Sequence, residues 1–169
     1  MAIDKIDVTK GITGILPVAN GGTGASSFSA GKILQVLGMK YGTQVQNNTE
    51  TYADTGVTID ITPSATSSKI IVMCTINGIV KMAGNTSNGL LFKLLRDSTS
   101  LVGDLYSGYD GVSVVRYMSS ISVNYLDSPS STSALTYKMQ FKNNVGATGV
   151  QVQANGVPSS SIVVMEVGA

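Results

Sequence analysis

The sequence predicts an all-β protein: an antiparallel β-sandwich of jelly-roll type, with about nine strands and an extended N-terminal arm. Three observations predict it. Charged residues make up only 12% of the 169 residues, and Ser, Thr, Asn and 19 Gly fill the gap. Surface helices are ordinarily built from Glu, Lys and Arg, so this mixture favours strands and turns. Short runs rich in Val, Ile and Tyr alternate with polar residues at the strand period of two. Turn signals made of Gly, Pro, Asn and Asp separate those runs at intervals of roughly 8–14 residues, the spacing of a sandwich.

The first segment, residues 1–31, stands apart from the rest. Gly11, Gly14, Gly21, Gly22 and Gly24 break any helical period, and Pro17 removes a backbone donor. Ile12, Ile15, Leu16 and Val18 are nevertheless apolar. Such a segment buries too little surface to fold alone. It reads as an arm that orders against another surface, by adding to a sheet edge or filling a groove. The sandwich is expected over residues 32–169.

Within it, Ile33–Leu37 reads as a first strand or a short helical turn, and Tyr41–Gln46 as a weakly alternating strand. In Thr55–Ile61, Val57, Ile59 and Ile61 alternate with Thr58 and Asp60, and Pro63 ends the run. Lys69–Ile76 is almost continuously apolar, which predicts cover on both faces. Asn77-Gly78 is a strong hairpin signal, with a bulge in a longer strand to Met82 as the alternative. After a turn at Asn85–Asn88 come strands over Gly89–Arg96, Leu101–Leu105 and Val112–Tyr125. Leu126–Ser130 turns the chain, and Ala134–Phe141, Gly149–Ala154 and Ser161–Val167 complete the fold.

Composition excludes much chemistry. There is no His, so imidazole bases, Ser-His-Asp and Cys-His nucleophiles and most zinc sites are absent. One Cys allows neither an intrachain disulfide nor a thiolate cage. A net charge of +1 offers no basic field for nucleic acid or an anionic membrane. No apolar run approaches the roughly 20 residues of a membrane helix. Binding and structure remain; no enzyme, cofactor or metal is expected.

The stretch Gly14-Ile15-Leu16-Pro17-Val18-Ala19-Asn20-Gly21-Gly22-Thr23-Gly24 closely resembles a segment of phage tail-fibre and other virion structural proteins. Thr55–Met73, Leu94–Asp97, Tyr125–Pro129 and Ile162–Val167 fit the sandwich strands of the same proteins. The resemblance implies a virion appendage protein. Its arm, with Ile12, Ile15, Leu16, Pro17, Val18, Asn20, Gly21, Gly22 and Gly24, would dock to capsid or tail proteins. Its body would be a homotrimeric jelly roll similar to tumour-necrosis-factor-like heads, exposed at the virion surface after assembly in the host cytoplasm. The segment occurs once and no long shaft follows, which favours a capsid decoration, short head fibre or tail adaptor over a long fibre. The chain also reads as a whole small protein. Its Gly-Gly lacks the Lys-Ser/Thr of a phosphate loop.

The remaining candidates are weaker. The loop Gly103–Gly111 offers Asp104, Tyr106, Tyr109 and Asp110, rigid aromatic area beside adaptable polar groups, as a surface for host glycan. Two carboxylates there fall short of the six to eight oxygens calcium takes. Cys74 lies mid-strand and reads as a small buried hydrophobe. Arg96-Asp97 reads as a strand-end charge pair. Arg116 is expected to be exposed or, facing inward, to pair with a carboxylate of a neighbouring subunit. Asp54, Asp60, Asp104, Asp110 and Glu166 show no spacing that pairs two of them for catalysis. Met39, Met73, Met82, Met118, Met139 and Met165 are expected to fill the core, or to line a subunit seam.

Overall fold

The computed structural model describes residues 32–82, 89–107, 119–144 and 149–168. Among them are ten strands: β1 (Ile33–Tyr41), β2 (Val45–Asn47), β3 (Ala53–Ile61), β4 (Lys69–Lys81), β5 (Leu90–Arg96), β6 (Thr99–Ser107), β7 (Ser119–Asp127), β8 (Leu135–Asn143), β9 (Val150–Val152) and β10 (Ser160–Val167). They form two antiparallel sheets. The first runs β1-β10-β4, with β7 on the far side of β4 and with β9 and β2 continuing the same rows. The second runs β3-β8-β5-β6.

The pairing is that of a jelly roll. Count β1 with β2 as one interrupted strand, and β9 with β10 as another. The first strand then pairs with the last, the second with the second-last, the third with the sixth and the fourth with the fifth. An antiparallel ribbon rolled up on itself gives this order. The core follows from the pleat: alternate residues of each strand point inward. Ile70, Val72, Cys74 and Ile76 of β4 and Ile162 and Val164 of β10 meet Phe92 and Leu94 of β5 and Tyr137, Met139 and Phe141 of β8. Phe92 and Phe141, paired across β5 and β8, stack with ring centroids 6.2 Å apart.

Several expectations are corrected. Of the two readings of Ile33–Leu37, the strand is the one found, and it runs on to Tyr41. Asn77-Gly78 makes no hairpin; it is a bulge inside β4, where the register against β7 slips between Ile76 and Ile79. Opposite the bulge, Gln153–Ser159 leaves the ladder and makes one 3₁₀ turn, Ala154–Gly156. Asn77 ties both ends of this excursion. Its carbonyl accepts from Gln153 N (2.9 Å), its amide donates to Ser159 O (2.7 Å), and its N–H donates to Ser160 Oγ (2.9 Å). The Leu101–Leu105 strand is the longer β6. Between β5 and β6, Asp97 takes a left-handed φ of 53° in a tight turn, as a two-residue hairpin demands. Arg96 pairs not with its neighbour Asp97 but with Asp127, through Nη1 at 2.7 and 2.9 Å.

The largest difference concerns cover. β4 is not covered on both faces, because Met73 on its outer face is 37% exposed. Among the described residues no second layer covers this outer face, so the continuous apolar sequence here does not reflect a strand sunk between two layers.

Candidate binding surfaces

The two outer faces of the sandwich differ in chemistry. On the second sheet, β8 turns Thr136, Lys138, Gln140 and Lys142 outward, because its alternate residues fill the core. Asp54 and Asp60 flank them from β3, and Lys93 from β5. Asp54 accepts from Gln140 Nε2 (2.6 Å) and Lys138 Nζ (3.2 Å), and Asp60 from Thr136 Oγ1 (2.6 Å). These carboxylates are engaged across strands and are not poised as an acid–base pair.

Tyr52 and Asp104 belong to the same surface. β6 carries one extra residue where its register against β5 shifts between Phe92 and Leu94, and Asp104 sits there at φ 51°. The bulge re-aims Asp104, whose Oδ1 accepts from Tyr52 Oη at 2.5 Å. Lys93 Nζ stands 4.1 Å, and Lys142 Nζ 5.1 Å, from the centre of the Tyr52 ring. Burial raises the Tyr52 phenol above its usual range, and the Asp104 carboxylate raises it further. The phenol therefore stays protonated and keeps donating. Two residues along, Tyr106 is 48% exposed, its ring lying over Gly89 where any side chain would collide with it. The cluster presents an aromatic ring, a carboxylate and two ammonium groups, which suits recognition of polar groups.

Of the residues expected to form a ligand loop, Asp104 and Tyr106 therefore lie on a strand, not in a loop. Tyr109 and Asp110 lie outside the described residues, as do Arg116, Met118 and the arm residues Ile12, Ile15, Leu16, Pro17, Val18, Asn20, Gly21, Gly22 and Gly24. Tyr52, Lys93 and Lys142 carry no local signal in the sequence, because they lie far apart along the chain and meet only across the sheet. Cys74 is buried, and burial pushes its thiol up to about 12, so it stays an unreactive core group. Among the described residues no group of three or more Asp, Glu, Cys or His could hold a metal ion, and no helix is long and apolar enough to cross a membrane.

Part of the outer face of the first sheet is apolar. Val36, Met165, Ile71 and Leu126 stand in register on β1, β10, β4 and β7, forming one row across it. The next row holds Gly38, Val163, Met73 and Asn124, and the one beyond it Lys40, Ser161, Thr75 and Ser122. Val36 is 54% and Leu126 55% exposed. Met139 fills the core as expected, whereas Met73 and Met165 lie on this outer face.

No protein-family model matches the chain, and no curated protein matches it. Among solved structures, it is similar to the crystal structure of the infectious bursal disease virus VP2 subviral particle, at TM-score 0.36 and 13% identity, over 79% of this chain and 39% of that one. It is similar also to the structure of the infectious bursal disease virus Gx strain, at TM-score 0.36 and 13% identity, over 78% of this chain and 36% of that one. The chain thus spans well under half the length of either.

Proposed function

We propose that the chain is a non-enzymatic phage virion structural protein, a short trimeric fibre or decoration protein at the virion surface. Residues 1–31 hold it to capsid or tail. The observation that carries this reading is the outer face of the first sheet, uncharged and largely apolar between Lys69 and Lys40, set against a charged face on the second. Soluble monomers rarely expose large contiguous apolar patches, and such patches mark interaction surfaces. The resemblance of Gly14–Gly24 to virion proteins supplies the kind of assembly.

The test is incorporation into particles. A chain lacking residues 1–31, and a full chain carrying Leu16→Asp and Val18→Asp, are each expected to be soluble and to be missing from purified virions. Incorporation at the normal level would overturn the arm's role.

A second reading has its own observation. The exposed Tyr106, two residues along β6 from the Asp104 that Tyr52 bonds, suits stacking and hydrogen bonding to a sugar. In that reading the protein is a receptor-binding tip or tail adaptor recognising host surface glycan. Binding on a glycan array that Tyr106→Ala abolishes is its expected outcome; an array without signal counts against it.

A further inference from the structure

We propose that the outer face of the first sheet, together with its edge strand β1, is where copies of this chain associate. The proposal rests on the assembly reading above and names the surface and the partner, a second copy of the same chain.

Charge is the first argument. Along β4 and β1 the apolar rows lie between Lys69 at one end and Lys40 at the other, and no charged side chain points outward between them. Such a face meets a copy of itself without bringing like charges together. The second sheet, with Asp54, Asp60, Asp104, Lys93, Lys138 and Lys142 on its outer face, would lose hydration of every one on burial.

The edge is the second argument. β1 pairs with β10 on one side, and among the described residues no strand pairs with its other side. Natural edges are blunted by Lys, Pro or a short length. β1 has nine residues, no Pro, and no Lys before Lys40. Its residues Ile33, Leu34, Val36 and Leu37 are all exposed, although Val36 and Leu37 point to opposite sides of the ribbon. Main-chain groups aligned beside apolar side chains match another β-strand bearing the same features.

Shape is the third. The face carries two shallow hollows, one of about 310 Å³ lined by Ile71, Asn124, Tyr125 and Leu126, the other of about 270 Å³ lined by Gly38, Met39, Lys40, Ser161 and Val163. The projecting Val36, Met73 and Leu126 stand on the same face. Projections and hollows side by side give a neighbouring copy a surface to interlock with.

The experiment is the mass of the full chain in solution, by sedimentation and native mass spectrometry across a range of concentrations. The wild-type chain is expected to associate. Val36→Glu with Met73→Glu is expected to weaken association more than about tenfold, as for central residues of an interface. Lys138→Glu on the opposite face should leave it unchanged. Hydrogen exchange supplies a readout that needs no substitution: amides of Ile33–Tyr41 should gain protection as wild-type protein is concentrated. A wild-type chain that stays monomeric, or association that survives the double substitution without concentration-dependent protection of β1, overturns the proposal. Virion incorporation is scored separately. Chains that associate but never enter particles would defeat the virion reading and leave this surface standing.

Discussion

Glu166 is a buried carboxylate with a full set of donors. It is 1% exposed and accepts from Ser64 N at 2.7 Å, Ser64 Oγ at 2.6 Å and Gln35 Nε2 at 2.6 Å. It thus joins β10 to β1 and to the loop after β3. Burial alone would raise its pKa, but the hydrogen bonds, those of Ser64 foremost, prevail and hold it at about 2. An unfolded Glu titrates near 4.3. The folded group therefore binds its proton less readily than the unfolded one, and its stabilising contribution is whole above about pH 4.3. It drains away as pH falls toward 2. Denaturant midpoints measured from pH 7 to pH 2 should fall steeply at the acid end for the wild type. They should fall less steeply for Glu166→Gln, which starts lower at pH 7. In the sequence Glu166 is one carboxylate among several scattered ones. Its donors lie more than a hundred residues away along the chain, so no local pattern announces them. Asp127 is hidden in the same way: it accepts from Arg96 and from Tyr137 Oη at 2.7 Å and so clasps the two sheets. Arg96 beside Asp97 in sequence suggests the wrong partner.

Among the strands, β4 shows how a correct local signal is overruled. Asn-Gly favours the left-handed backbone, and Gly78 does adopt it, at φ +64°. What decides between a hairpin and a bulge is the strand beyond, and Ile79 and Val80 both find buried places that continue β4. The Gln153–Ser159 excursion presses on the bulge. A methyl on Gly78 would stand 2.8 Å from Ala154 N and 2.8 Å from Pro158 Cγ. Gly78→Ala therefore meets both a disfavoured φ and a backbone collision, and should destabilise by about 2–3 kcal/mol. Gly103→Ala meets only Ser100 Oγ at 3.5 Å and should stay within about 0.5 kcal/mol. Urea denaturation of the two variants beside the wild type measures the difference.

For the whole molecule, the all-β class and the sandwich were legible because period-two alternation is a local property, and β3 and β8 display it plainly. The bare outer face was not legible. Ile70–Met73 and Ile162–Met165 are apolar at every position, and sequence alone does not distinguish a strand between two layers of one chain from a strand with one face left for another molecule. Only the register that lines up Val36, Met165, Ile71 and Leu126 separates the two. The Tyr52–Asp104 contact was illegible for the same reason: distance along the chain hides what a bulge brings together.

The adjacency of β1 and β10 also has a consequence in time. β1 leaves the ribosome before β10 and finds that neighbour only when β10 has been made. At roughly 5–20 residues per second, that interval is on the order of ten seconds. Throughout it Ile33, Leu34, Val36 and Leu37 lack the ladder that β10 supplies, and nascent chains on one message lie close together. Closure of the roll must then compete with pairing between unfinished copies, so the order in which the strands are synthesised bears on the yield of correctly folded protein.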